Sequence, residues 1–164
     1  GIPVFTTLIS LLHNGNPIIG IIEAPMTKNR WIGRKDQKTI HNEQLVKTSN
    51  CRVISEAIMS TSSPDYYTAE NINILRNLQS LSKQTVYGGS STAYAQIAGG
   101  RIDFGIDANF DIHDFLPLVP IIEGAGGQLT DWQGKTLSQH SGTENMLASA
   151  NSFLHEEVLE KINN

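Results

Sequence analysis

Asp103, Asp107, Asp111 and Asp114 fall within one stretch, R-I-D-F-G-I-D-A-N-F-D-I-H-D, followed by an apolar run that ends at paired glycines. Carboxylate oxygens are what a hard cation such as Mg²⁺ takes, usually together with waters and the oxygens of a bound phosphate. Ile102, Phe104 and Ile106 share one face of a strand, and Asp103, Gly105 and Asp107 the other. Ligands of an α/β sheet bind beyond the carboxyl ends of its strands, where Asp107 would stand. Asp114 would open the next helix, where amide dipoles favour an anion and a cation would compete for the same carboxylate. Each residue also has a purely local reading, because Asp is common at strand ends, turns and caps. By that reading Asp103 is a solvated strand-edge charge and Asp111 a turn or N-cap residue. Spacing alone leaves Asp114 divided between cap and metal ligand.

The elements that position these residues follow from patterning. Residues 4–12 and 18–24 are apolar, β-prone runs joined through Asn14-Gly15, the strongest short hairpin signal. Neither arm alternates strictly, so both read as strands covered on two faces. A second strand pair is expected at Arg30–Gly33 and Thr39–His41, and Asn42–Asn50 reads as a polar connection. A boundary near Cys51 then divides the chain into 1–50, strands of a first sheet, and 51–164, an α/β domain. In the second part Thr68 can cap a helix that carries Ile72, Leu75, Leu78 and Leu81 on one side. Thr85–Tyr87 is a short strand, and Gly88-Gly89 leads into a helix from Ser90 to Ala98. Another helix is expected from Asp114 to Gly124, with Pro117 tolerable in its first turn and Pro120 leaving a kink or an unpaired carbonyl. Two further strands, Gln128–Trp132 and Asn145–Ala150, precede a last helix capped by Asn151.

Bulk composition narrows the function classes. With 39% hydrophobic and 17% charged residues over 164 positions, the chain is an ordinary globular sequence. Its formal charge of −4 and lack of a basic stripe argue against a nucleic-acid partner. No apolar run reaches the length that spans a bilayer, so no membrane role is expected. Cys51 is the lone cysteine, which excludes an internal disulfide and favours a reducing, cytoplasmic setting. Trp31, Trp132 and Met26 could line a pocket, although ordinary packing accounts for each.

The run from Tyr87 to Gly127 closely resembles the carboxy-terminal signature of the inositol monophosphatase family of Mg²⁺-dependent phosphatases. The likeness extends over essentially the whole chain, through Pro3-Val4-Phe5, the hairpin, Trp31-Ile32-Gly33 and Glu123-Gly124-Ala125-Gly126-Gly127. It implies an α/β fold of mixed sheets with flanking helices, the carboxy-terminal part of a layered α-β-α-β-α arrangement. In the family the Asp before a short proline-containing apolar helix is a metal ligand, so the resemblance implies that Asp114 binds Mg²⁺. The family carboxylate seven residues earlier touches the non-phosphate part of the substrate, and Asp107 matches it. The glycine-led helix start that lines the substrate pocket corresponds to Gly89, Ser90 and Ser91. His113, beside Asp114, reads first as a partly exposed side chain.

Tyr87-Gly88-Gly89 followed by Tyr94 resembles the histidinol-phosphate phosphatase branch. That branch often has Asp just after the glycine pair, where this chain has Ser90, a departure that bears on substrate and not on reaction class. The resemblance implies a small phosphorylated metabolite as substrate, histidinol phosphate first and inositol monophosphate second, with nucleotide or sugar phosphates behind them. It also implies a homodimer. The family's Glu-Glu ligands and Asp-Pro-Ile-Asp-Gly-Thr motif have no counterpart here. The sequence is therefore expected to be the carboxy-terminal part of a phosphomonoesterase, with no complete catalytic set of its own and close to inert alone. A different class of reading is a non-catalytic binding or assembly module derived from such an enzyme.

Overall fold

The computed structural model of the protein describes residues 3–142 and 145–164. Two five-stranded sheets and their helices stack in four layers, sheet, helices, sheet, helices. The first sheet runs in chain order through β1 (Thr7–His13), β2 (Asn16–Ala24), β3 (Asn29–Arg34), β4 (Ile40–His41) and β5 (Gln44–Leu45), all antiparallel. Asn14 and Gly15 take φ of 49° and 77°, the left-handed pair that a two-residue hairpin turn requires. The short β5 lies in the segment expected to be a plain connection.

The second sheet has the order β7 (Gln84–Tyr87), β6 (Ile58–Thr61), β8 (Phe104–Asp107), β10 (Met146–Ser149), β9 (Gln128–Thr130). β7, β6 and β8 are parallel, so Tyr87, Thr61 and Asp107 end at the same edge. β10 runs antiparallel to both neighbours. Helices α2 (Ser90–Ala98) and α4 (Leu118–Gly124) fill the space between the sheets. The outer face of the second sheet carries α1 (Ile72–Leu81) and α5 (Ser152–Asn163), with Leu75, Leu78, Leu154 and Val158 against Phe104 and Ile106. Asn151 caps α5 as expected, its side chain accepting from the Leu154 amide at 3.1 Å. Thr68 acts one turn earlier than expected, accepting from the Asn71 amide before α1 begins.

The expected helix from Asp114 to Gly124 is two pieces, α3 (Ile112–Phe115) and α4. Leu116 and Pro117 keep helical dihedrals, but Pro117 has no N–H to continue the hydrogen-bond ladder. The segment is pressed directly onto the first sheet. A Cβ on Gly20 of β2 would come within 1.9 Å of the Pro117 carbonyl oxygen, and one on Gly33 of β3 within 2.3 Å of the Ile121 nitrogen. Thr39 seals the far end, its hydroxyl donating to the Ile121 carbonyl at 2.6 Å. The glycines let backbone meet backbone, which fixes the height of Asp114 relative to both sheets.

Two expectations need correction. Asp103 is a buried anchor and no solvated edge charge: its carboxylate accepts from the Ile58 amide at 2.7 Å and from the Ser49 hydroxyl. The strands of the first sheet pack on one face only, the other showing Ile9 and Leu11 at 53% exposure each. Trp31 and Trp132 are both packed, Trp31 stacked on His41 and Trp132 donating to the Met146 carbonyl, while Met26 is exposed.

His155 on α5 is buried, with one ring nitrogen on the Thr130 hydroxyl and the other unpartnered. Burial lowers its pKa from 6.5 to about 4, so the folded state holds the ring neutral. The unfolded chain takes up that proton first on acidification. Stability should therefore fall as pH drops from 6.5 towards 4 and level off below, by roughly 3 kcal/mol in total. Urea melts at pH 7 and pH 4.5 should show this loss shrinking in His155→Gln, and an unchanged acid-side slope would contradict it.

Candidate active site

The carboxyl ends of β6, β7 and β8 feed three loops that meet over one cleft of about 440 Å³. Ser62 and Tyr66 come from the loop after β6, Gly88 and Ser90 from that after β7, and Asn109 and Asp114 from that after β8. This is the crevice in which an α/β sheet holds its ligand. Three of these residues adopt left-handed backbone, Gly88 at φ 68°, Ser90 at 48° and Asn109 at 64°. For Ser90 such a φ costs on the order of 1 kcal/mol, a strain that concentrates at functional loops.

Asp107 sits beneath the cleft at 1% exposure. Both of its oxygens are engaged. Oδ1 accepts from the Ser62 amide at 2.7 Å and the Thr61 hydroxyl at 3.1 Å, and Oδ2 from the Tyr94 hydroxyl at 2.6 Å and the Ser62 hydroxyl at 3.1 Å. Burial raises its pKa, and these four donors oppose the rise. Tyr94, fully inside, has its own pKa pushed well up by burial and then by the Asp107 charge, so it stays a donor. Tyr67 extends the network, donating to the Ile106 carbonyl and lying 3.1 Å from the Thr61 hydroxyl.

Asp114 is half-buried on the cleft wall, and its Oδ2 reaches back to the Asp111 amide at 3.1 Å. Asp111 is the N-cap of α3, as its local reading expected, and His113 is exposed beside it. A hard cation is commonly held by one or two carboxylates with phosphate and water completing its shell. Asp114 fits one such ligand. Among the described residues no three His, Cys, Asp or Glu side chains converge on a common point.

Of the expected site residues, the structure brings Ser90 and Asp114 into one cleft. Gly89 lies behind the rim, where a Cβ would press on Ala93 at 2.8 Å. Ser91 is buried and its hydroxyl pairs with that of Thr6. With both Asp107 oxygens engaged, direct contact with a ligand would displace a donor, and Ser62 is the one that also lines the cleft. Ser62, Tyr66, Asn109 and Phe110 went unnoticed in sequence. The S-T-S-S-P-D-Y-Y run after a strand was the available signal, since hydroxyl-rich loops at strand ends gather where ligands bind.

The inositol monophosphatase family model matches residues 1–164. The chain belongs to that family. A bifunctional phosphatase, IMPL2, of Arabidopsis thaliana is 38% identical over 168 residues, covering 99% of this chain and 49% of the relative. A histidinol-phosphatase of Mycobacterium tuberculosis is 25% identical, covering 99% of this chain and 64% of that protein. Among solved structures, an inositol monophosphatase from Zymomonas mobilis superposes with a TM-score of 0.95 at 31% identity, covering 99% of this chain and 64% of that one. This chain thus spans about half the length of the first relative and just under two thirds of the other two. The four layers described above are accordingly layers of the inositol monophosphatase fold, and the cleft lies within it.

Removing the charge at Asp107 should loosen this arrangement. Asp107→Asn puts an amide N–H₂ against donors already facing that position, at a cost of about 2–4 kcal/mol. Urea unfolding of the variant measures it, and a change below about 0.5 kcal/mol would contradict the buried-anchor role.

Proposed function

We propose that this chain carries part of the site of a Mg²⁺-dependent phosphomonoester hydrolase acting on histidinol phosphate, with inositol monophosphate as the second candidate. The observation that carries the reading is the meeting of three parallel strand ends on a cleft walled by the Asp114 carboxylate, in a chain of this family. Similarity to the histidinol-phosphatase and the Tyr87-Gly88-Gly89 turn with Tyr94 support the first substrate. Likeness to the Zymomonas inositol monophosphatase supports the second.

In this reading Asp114 is one Mg²⁺ ligand, and the remaining ligands and the water-activating group come from outside these 164 residues. When bound, the ion supplies Lewis-acid polarisation of a phosphoryl oxygen and a more acidic water. Ser62 and Ser90 offer hydroxyls to the substrate from adjacent loops. Asp107 acts through Ser62, holding its amide and hydroxyl in place. Tyr66 and Phe110, edge to face with ring centres 6.3 Å apart, exclude water from one wall. A homodimer belongs to the same proposal by family analogy, and a cytoplasmic location by the lone Cys51. Among the described residues no helix is long and apolar enough to cross a membrane.

The alternative, a non-catalytic assembly module, is favoured by one observation, the exposed apolar face of the first sheet at Ile9 and Leu11. The two readings separate in one assay. Phosphate release by the full-length polypeptide carrying these residues is measured on both substrates with and without Mg²⁺. Turnover should require Mg²⁺ and fall at least about 100-fold in Asp114→Asn, with the fold retained. Mg²⁺-independent turnover, or none in the parent protein, would overturn the hydrolase reading.

A further inference from the structure

The Asp107 charge fixes the direction of every proton around it. A carboxylate accepts and cannot donate, so the Tyr94, Thr61 and Ser62 hydroxyls and the Ser62 amide all point their hydrogens at its two oxygens. The Tyr67 hydroxyl donates to the Ile106 carbonyl at 2.9 Å, which leaves its 3.1 Å contact with the Thr61 oxygen short of a proton. A proton taken up by Asp107 would settle between Oδ1 and Thr61, and Thr61 would turn to Tyr67. The Ser62 hydrogen faces Oδ2 in either case. Of these groups only Ser62 lines the cleft, and it is half-buried there. Its side-chain oxygen accepts from no other group among the described residues.

Ser62 thus meets a ligand with lone pairs alone. Donation to a carboxylate also polarises the hydroxyl and makes its oxygen a stronger acceptor. We propose that Ser62 is a specificity-determining residue of the cleft, a fixed acceptor that takes an O–H or N–H donor from the ligand and turns away oxygens without hydrogen. The phosphoryl oxygens of a dianionic monoester only accept, so they are kept to the Asp114 side, and the ester enters one way round. The Asp107 charge reaches the ligand only through an oriented serine oxygen, in place of the direct carboxylate contact that the family resemblance implied. The proposal rests on the hydrolase reading for the phosphoryl group, while the direction of the Ser62 hydrogen follows from the buried network alone.

The test uses three monoesters of similar size, 2-hydroxyethyl, 2-methoxyethyl and propyl phosphate, which offer a hydroxyl donor, an acceptor only, and neither. Affinity is measured by calorimetry with Mg²⁺ on the full-length polypeptide, and turnover by phosphate release. The hydroxyl ester should bind about tenfold tighter than the other two, as one hydrogen bond to a polarised acceptor allows. The methoxy ester should bind no tighter than the propyl ester. Ser62→Ala should abolish the hydroxyl preference. In Asp107→Asn the side-chain amide donates to Ser62 and turns its hydrogen into the cleft, so the methoxy ester should overtake the propyl ester. The parent protein and Ser62→Ala decide the matter if Asp107→Asn does not fold. A methoxy ester bound as tightly as the hydroxyl ester, or a hydroxyl preference that survives Ser62→Ala, overturns the assignment. If no ester is turned over while the binding order holds, the hydrolase reading fails and the acceptor stands.

Discussion

The geometry of the cleft depends on one buried anion. Taking a carboxylate out of water costs several kcal/mol unless hydrogen bonds replace the lost hydration. At Asp107 the replacements come from two elements other than its own strand: Thr61 and Ser62 at the end of β6, and Tyr94 in α2. The charge is held only if those elements stay in register. Conversely, the elements are held because letting go would strand the charge. The loops that line the cleft leave from these strands, so a ligand meets side chains placed in advance.

The second constraint is steric and acts from the opposite side. Gly20 and Gly33 allow α4 and the turn before it to rest on the strands of the first sheet at backbone distance. The interrupted helix that follows Asp114 is locked by that contact and by the Thr39 hydroxyl on Ile121. Asp114 is thereby set between a sheet that supplies the cleft and a sheet that supplies the seat. The two prolines that disfavour a regular helix are compatible with this role, because the segment is stabilised by what it rests on.

Much of this was legible in the residues, and the failures have physical causes. The hairpin at Asn14-Gly15, the helix starting at Ser90, the β8 strand and the Asn151 cap follow from local chemistry that reads directly along the chain. Asp114 and Ser90, singled out through the family resemblance, line one cleft. Asp103 misled because alternation shows which face a side chain takes and says nothing of what covers that face. Ser49 and the Ile58 amide, distant in sequence, cover it. Ser62 and Tyr66 were missed for the same reason, since their part in the cleft is created by the parallel pairing of β6 with β8. The break in the helix after Asp114 was half visible, as a difficulty with Pro117 and Pro120. Its resolution needed Gly20 and Gly33, which nothing local connects to those prolines.

The central claim is that a divalent cation is held where Asp114 faces the loops of β6 and β7. Mn²⁺ is a paramagnetic stand-in for Mg²⁺ with the same preference for oxygen ligands. Titrated into the isotopically labelled full-length polypeptide with inorganic phosphate present, it should broaden first the amide signals of Ser62, Ser90, Asn109 and Asp114. Signals from Trp31 and Ile40 on the first sheet should persist, and excess Mg²⁺ should restore the lost ones. Broadening centred elsewhere, or none around Asp114, would contradict the account.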